Sequence, residues 1–201
     1  MYYGLVYYYA HGIGQINQLR YKYDPTADVI APHITILFPV PDSVGEERLI
    51  GHIENVLAGR PPFTLRLGGL QKSPDHWLFI TLAEGAEEIA GLYEALYTGL
   101  LEEFRRDDIE FVPHLGLGLL IKKGVQYDWN NPRESDLDDE AFESAKAEAG
   151  SLELDAEMTV ARLHLVSIPD DVIEWASGER PDFSLDSRAA DVKVFRLQAR
   201  A

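Results

Sequence analysis

Apolar residues recur with two different spacings along the chain, and the alternation of these spacings predicts a mixed fold of strands and helices. Short runs rich in aromatic and β-branched residues predict strands. Longer runs with apolar residues three or four positions apart predict amphipathic helices. The predicted strands are 4–10, 32–38, 63–70, 76–83, 114–121, 158–168 and 191–198, and the predicted helices are 13–25, 42–59, 87–104 and 135–150.

The order of these elements repeats. Each half of the chain contains a strand, a helix and further strands, without a low-complexity tract or a shift in composition between the halves. Such an order indicates an α+β architecture with a duplicated core. We therefore expect residues 1–201 to form a single domain of two pseudo-symmetric lobes with interleaved strands, in which the polar segment 169–190 is a surface excursion.

Composition narrows the chemistry that the chain can perform. It has no cysteine, which excludes a disulfide, a thiolate nucleophile and a cysteine metal site. Acidic residues outnumber basic residues by 34 to 18, giving a net charge of −16, and this disfavours long nucleic acids and anionic membranes as partners. The sequence shows no signal peptide and no apolar run long enough for a membrane span, so we expect a cytoplasmic protein.

Two predicted strands begin with the same Pro-His pair, in "PHITILF" and "PHLGLGLL". Side chains alternate across a strand, so His33 and Thr35 share one face of the first strand, and His114 and Gly116 share one face of the second. The opposite face of each strand is continuously apolar and suits a core. If the halves pack symmetrically, the two histidines face each other across a groove.

Two imidazoles in one groove suit phosphoester chemistry. A neutral ring accepts a proton from the attacking water or hydroxyl, and a protonated ring donates one to the leaving oxygen. A hydroxyl two residues further on, as in Thr35, can donate a hydrogen bond to a phosphate oxygen. This chemistry requires neither a metal nor another cofactor.

The two motifs resemble those of the 2H phosphoesterase superfamily, which includes the proteins called 2′-5′ RNA ligases and RNA 2′,3′-cyclic phosphodiesterases. "HITI" (33–36) fits the His-x-Thr/Ser-x signature of that family, and "HLGL" (114–117) fits it at the histidine. The segment 62–82 and "MTVARLHLVSI" (158–168) resemble further strands of the same fold. The resemblance implies a bilobal pseudo-two-fold α+β fold with antiparallel sheets lining a central groove and helices outside.

The resemblance also implies functional roles. His33 and His114 would be catalytic, Thr35 would bind the substrate phosphate, and the substrate would be a 2′,3′-cyclic phosphate or another small phosphodiester on a nucleotide or RNA end. Gly116 departs from the family pattern because it has no hydroxyl. Its backbone N–H or a water could replace that group, the space could admit a bulkier substrate, or the site could bind a nucleotide or phosphometabolite without turnover.

Other histidines and one arginine are weaker candidates. Arg162 would bind phosphate if its face of the late strand lines the groove, and it would otherwise lie on a solvated sheet face. His164 shares that face. We expect His76 and His52 on the surface, whereas His11 could border the groove.

Overall fold

The computed structural model describes residues 1–125, 127–128, 131–152, 155–173 and 188–199. Eight strands and five α-helices lie within these residues. The strands are β1 Tyr2–Tyr8, β2 His33–Pro41, β3 Phe63–Lys72, β4 Trp77–Glu84, β5 His114–Leu119, β6 Glu157–Val160, β7 Arg162–Ile168 and β8 Ala190–Arg196. The helices are α1 Ile13–Tyr23, α2 Glu46–Leu57, α3 Ala86–Leu96, α4 Asp139–Ala149 and α5 Asp170–Ile173.

All eight strands belong to one sheet with the order β6-β3-β4-β5-β2-β1-β7-β8, and every pair is antiparallel. We call β6-β3-β4-β5 the β4 half and β2-β1-β7-β8 the β1 half. The halves join at β2 and β5, where Ile34 pairs with Leu115. The strands that begin with Pro-His are therefore the two central strands.

The sheet is strongly curled. β6 is at one end of the strand order and β7 is near the other, yet only Ala161 separates them in the chain. A strand advances about 3.3 Å per residue, whereas strands lie about 4.8 Å apart in a sheet. One residue cannot span a flat sheet of this width, so the curl must bring the two ends towards each other.

The two faces of the sheet differ. Helices α1 to α4 bury their apolar stripes against one face, where they form the main core with strand residues such as Ile34 and Leu115, both fully buried. The alternate residues of β2 and β5 point the other way, and we call that side the histidine face. On this face β2 presents His33 and Thr35, and β5 presents His114 and Gly116.

The strand and helix predictions are confirmed with four differences. The predicted helix 42–59 begins as a 3₁₀ helix, Asp42–Val44, and α2 starts only after Gly45 (φ +87°). The predicted helix 87–104 ends at Leu96, because the chain turns at Gly99 (φ +55°) and continues as a 3₁₀ helix. The predicted helix 135–150 begins at Asp139, where Asp138 rather than Ser135 is the N-cap and accepts a hydrogen bond from the Ala141 N–H.

The fourth difference lies in the predicted strand 158–168, which divides at Ala161 into β6 and β7. The predicted excursion 169–190 falls largely outside the described residues, apart from α5 and the approach to β8. In the described part of the chain no helix combines the length and apolar character needed to cross a membrane.

Candidate active site

The antiparallel pairing of β2 with β5 brings the two Pro-His motifs together. Because Ile34 is opposite Leu115, His33 lies opposite Gly116 and Thr35 lies opposite His114, all on the histidine face. The two histidines are therefore diagonal neighbours across the central strand pair. Diagonal neighbours in antiparallel strands are roughly 7–8 Å apart, a separation that leaves space for one small group between the two rings.

The same local contact orients both imidazoles. The Nδ1 atom of His33 is 2.9 Å from the carbonyl oxygen of Ala31, and the Nδ1 atom of His114 is 2.6 Å from the carbonyl oxygen of Val112. A carbonyl oxygen only accepts, so Nδ1 carries the proton in each ring and Nε2 keeps its lone pair. The intervening proline favours an extended preceding residue, which explains how one dipeptide produces the same arrangement twice.

Both histidines favour the neutral form in the free protein. Burial, followed by the nearby Arg20 guanidinium, lowers the pKa of His33 from 6.5 to about 4, although the Ala31 hydrogen bond and the Asp24 carboxylate oppose the decrease. Burial also lowers the pKa of His114, whereas its Val112 hydrogen bond and the Asp75 carboxylate oppose the decrease. Each histidine has a carboxylate that favours its imidazolium, Asp24 at His33 and Asp75 at His114, but His33 also faces the Arg20 guanidinium, which disfavours it more strongly.

Arg20 is a buried charge below the start of β2. Its side chain is 2% exposed, and its Nε and Nη2 atoms contact Asp24 Oδ2 at 2.8 and 2.7 Å. The other Asp24 oxygen accepts hydrogen bonds from the backbone N–H and hydroxyl of Thr26. The Nη1 atom of Arg20 has no hydrogen-bond partner within the described residues. The Arg20 guanidinium lowers the pKa of His33 and the Asp24 carboxylate raises it, and the effect of Arg20 is the larger of the two.

The His114 ring packs against an aromatic side chain. Phe79 on β4 is opposite Gly116, and its ring centroid is 4.3 Å from that of His114. Phe79 is 3% exposed, so the contact removes water from one side of the imidazole and accounts for the burial that lowers its pKa.

Two threonines flank His114 in one row across the sheet. Thr35 is its neighbour on β2, and Thr81 is its partner on β4. The Thr81 hydroxyl donates a hydrogen bond to the carbonyl oxygen of Gly69 at 3.1 Å. In the part of the chain that the structure describes, the Thr35 hydroxyl makes no such bond, so it is the available donor beside the histidines.

Gly116 lies beside an indole ring. A Cβ atom at this position would be 3.7 Å from two carbons of the Trp77 ring, which is ordinary van der Waals contact. Trp77 also packs against the buried cluster of Leu119, Ile121 and Tyr127. The indole thus occupies space next to the position where the family motif has a hydroxyl.

Arg162 and His164 lie further out on the same face. His164 is paired with Val6, and its ring is 4.9 Å from the ring of Tyr8 in an edge-on contact. Its Nδ1 atom is 3.1 Å from Asp191 Oδ2. Tyr8 is paired with His33, and extending the β1–β7 register places Arg162 beside Tyr8. Arg162 is therefore two strands from His33 and exposed, and it is not in the group formed by the two histidines and Thr35.

Sequence reasoning missed several residues around the site. The four-residue spacing of Arg20 and Asp24 could have predicted an ion pair on a helix. Their burial could not have been predicted in this way, because it depends on how α1 packs. The prediction that His76 is exposed is wrong. It is 1% exposed, has a φ of 65°, and its Nε2 atom contacts the Arg133 carbonyl oxygen. His52 is half-buried against the Leu96 carbonyl oxygen, and His11 is exposed.

Comparison with solved structures defines the class of fold. Escherichia coli LigT in complex with 3′-AMP matches with a TM-score of 0.58 and 16% identity, covering 98% of this chain and 96% of LigT. A Thermus thermophilus protein, TT0787, matches with a TM-score of 0.59 and 16% identity over the whole of both chains. This likeness confirms the predicted α+β bilobal fold, with antiparallel strands lining a central groove and helices outside.

Sequence comparison shows the family. The 2′-5′ RNA ligase superfamily pattern matches residues 10–171. The chain therefore belongs to the 2′-5′ RNA ligase superfamily, as its two motifs predicted.

Two Bacillus relatives have names that describe them as candidate phosphoesterases. The B. licheniformis protein is 31% identical over 120 residues, which are 57% of this chain and 69% of the relative. The protein from B. cereus strain B4264 is 30% identical over 104 residues, which are 51% of this chain and 59% of the relative. The chain thus matches about three fifths of the length of the second relative. These names support a phosphoesterase-like protein.

Proposed function

We propose that this protein hydrolyses a 2′,3′-cyclic phosphate, or another small phosphodiester on a nucleotide or RNA end, by metal-independent acid–base catalysis. The observation that carries the proposal is the pair of diagonal imidazoles with the same tautomer. Nδ1 of each ring is held by the carbonyl oxygen two residues earlier, so Nε2 of each ring is the atom available for proton transfer.

The charged neighbours favour different roles for the two histidines. His33, beside the Arg20 cation and with a pKa of about 4, is the general base. Its Nε2 atom accepts a proton from water while the water oxygen forms a bond to phosphorus. His114, next to the Asp75 anion, is the general acid. It donates the Nε2 proton to the ribose oxygen as the P–O bond breaks, and the product is a phosphomonoester.

Substrate binding should raise the pKa of the general acid, so that its ring takes up a proton from solvent. In the free protein both pKa values are lowered, so both rings favour the neutral form. A phosphodiester anion between them favours one imidazolium, since an opposite charge within a few ångströms raises the pKa of a histidine. Formation of the complex should therefore take up a proton near neutral pH.

Three further residues contribute to phosphate binding in this proposal. Thr35 donates its unbonded hydroxyl to a non-bridging oxygen. Gly116 contributes its backbone, because it has no side chain. Arg162, two strands from His33, interacts with a more distant part of the substrate.

The charge of the protein and the fold neighbours both support a small substrate. The net charge of −16 opposes the binding of a long polyanion. LigT, which shares the fold, has been crystallised with 3′-AMP, NADP⁺ and ATP. A nucleotide or the end of an RNA strand fits both observations.

The direct test measures hydrolysis of adenosine 2′,3′-cyclic phosphate in EDTA by the wild type, His33→Ala and His114→Ala. We expect turnover by the wild type and a large loss in each variant. Melting temperatures identify any variant that fails to fold. Equal hydrolysis by the wild type and His33→Ala would show that the assignment is wrong.

A nucleotide-binding module of the same fold is the alternative, and the missing hydroxyl at Gly116 favours it. Calorimetry with a panel of nucleotides separates the two functions. Tight binding without any product supports the binding module, whereas product formation by the wild type supports the enzyme.

A further inference from the structure

Two arginines lie directly opposite each other on neighbouring strands of the β1 half. Arg162 at the start of β7 is paired with Arg196 at the end of β8. Both are exposed, and both share the histidine face, because the adjacent residues on each strand, Leu163 and Phe195, point into the main core. Like charges directly opposite each other destabilise a sheet.

Neither arginine has a carboxylate partner within the described residues. The exposed Arg105 and Arg106 illustrate the contrast, since each has an acidic oxygen 2.6 Å from its guanidinium. The Asp191 carboxylate is hydrogen-bonded to His164, and Glu54, which lines a cleft together with Arg196, is paired with Lys193. The two guanidinium groups therefore remain available to an anion.

The position of the pair relates it to the catalytic histidines. If the β1–β7 register is extended by two residues beyond Val6 and His164, one row across the sheet runs from His33 to Tyr8, Arg162 and Arg196. With strands about 4.8 Å apart, the Cα atom of Arg162 is roughly 10 Å from that of His33. Tyr8 lies between them. Burial, followed by the Asp191 carboxylate, raises its pKa to about 12, so it presents a neutral ring and hydroxyl to a group that bridges the two positions.

Resting on the proposed function, we propose that Arg162 and Arg196 form a second anion site, which binds the phosphate on the 5′ side of the nucleoside whose 2′,3′-cyclic phosphate is hydrolysed. The preferred substrate is then a nucleotide with phosphates on both sides of the ribose. An arginine binds phosphate through two parallel hydrogen bonds. The 5′-phosphate can be a monoester on a mononucleotide or the diester of an RNA strand, and both present the same oxygens.

The experiment compares three substrates: adenosine 2′,3′-cyclic phosphate, the same molecule with a 5′-phosphate, and the dinucleotide ApA with a terminal 2′,3′-cyclic phosphate. The readout is the ratio of kcat/KM with and without the 5′ group, measured for the wild type and Arg162→Gln/Arg196→Gln. We expect the wild type to prefer the 5′-phosphorylated substrates. The double variant should reduce that preference by about 10- to 100-fold, as expected for losing charge-assisted hydrogen bonds.

Arg48→Gln is the matched control. Arg48 is exposed on α2, on the helix side of the sheet, so its substitution changes the charge away from the histidine face and should retain the wild-type ratio. A preference for the mononucleotide alone identifies the monoester as the ligand, and a preference shared by the dinucleotide identifies the strand diester. Either result supports the second site.

Three results would overturn the proposal: no preference in the wild type, an unchanged preference in the double variant, or a preference lost equally in Arg48→Gln. Failure of the proposed function is separable from these. If the wild type hydrolyses none of the substrates, calorimetry with 5′-AMP decides whether the second site exists. Weaker binding by the double variant than by Arg48→Gln supports it, and equal affinity refutes it.

Discussion

The two halves of the sheet present the same Pro-His arrangement in very different surroundings. Outward from His33, the β1 half offers Tyr8 and then the arginine pair. Outward from His114, the β4 half offers Thr81. The Thr81 hydroxyl donates a hydrogen bond to the carbonyl oxygen of Gly69, which lies where the register between β3 and β4 shifts. One side of the groove carries exposed cations, whereas the other carries a threonine and two aromatic rings, Phe79 against His114 and Trp77 beside Gly116.

In the proposed function, the shared histidines transfer protons, and the residues that differ between the halves bind different parts of the substrate. In the proposed reaction one imidazole accepts a proton at Nε2 and the other donates one from Nε2, and the Pro-His pair orients Nε2 in the same way on both strands. The substrate is not symmetric about its phosphate, so the flanking positions differ. A duplicated fold can keep its central strands alike and vary their neighbours.

The largest effect should come from the feature that the halves share. His33→Ala and His114→Ala should each lower kcat on a cyclic phosphate by about 10²–10⁴-fold, because each removes one proton-transfer group. The double variant should be about as slow as either single variant, since groups that act as a unit are not additive. Steady-state rates test this, with exposed His11→Ala as the control. A loss in only one single variant would mean that the pair does not act together.

The next effect tests the motif hydroxyl, which Thr35 provides in the β1 half and Gly116 lacks in the β4 half. Thr35→Val should lower kcat/KM by about 10- to 100-fold, because one hydrogen bond to a charged group contributes roughly 1.5–3 kcal/mol. Thr35→Ser should restore most of the rate. Gly116→Ala should change the rate little, since its methyl group would make ordinary contact with Trp77. Equal losses in Thr35→Val and Gly116→Ala would point to packing rather than hydrogen bonding.

A smaller effect concerns stability and compares two glycines on β5. At Gly118 an added Cβ would lie 2.6 Å from the Tyr23 Cβ and 3.0 Å from its carbonyl oxygen, so α1 would have to move. Gly118→Ala should therefore lower the free energy of unfolding by about 1–3 kcal/mol. Urea denaturation measures this value. Gly116→Ala is the control, and a similar loss there would contradict the packing argument.

The last effect is the pH dependence of stability contributed by His33. Its pKa is about 4 in the folded protein and near 6.5 in the unfolded chain, so the unfolded chain binds the extra proton between these values. The stability contribution is fully present above pH 6.5 and decreases as the pH falls to about 4. His33→Gln should therefore lose less stability than the wild type between pH 7 and pH 4.5, as measured by urea denaturation. His11→Gln should behave as the wild type does.

The sequence predicted the strands, most helices and the two histidines, because these depend on local patterns. It did not predict which residues lie beside the histidines on neighbouring strands. The diagonal arrangement of His33 and His114 depends on the pairing of Ile34 with Leu115, which are distant in the chain. The cross-strand pairing of Arg162 with Arg196 likewise depends on register. The motif spacing did predict that Thr35 would share a face with His33, since alternation within one strand is a local rule.

The burial of charged and polar groups was the least predictable feature. Arg20 lies on a short helix whose sequence looks polar, and only the packing of α1 against the sheet encloses its guanidinium. His76 was expected at the surface, but the segment that follows β5 covers it and supplies the Arg133 carbonyl oxygen. Both cases depend on segments that meet in space without being neighbours in the chain.

The interleaved strand order has a practical consequence for splitting the polypeptide. A cut in the exposed segment 105–110 yields one fragment with β1 to β4 and His33, and another with β5 to β8 and His114. Neither fragment contains all the strands of either half. Under the proposed function, turnover after mixing would therefore report reassembly of the entire sheet, and the two fragments would serve as a complementation reporter.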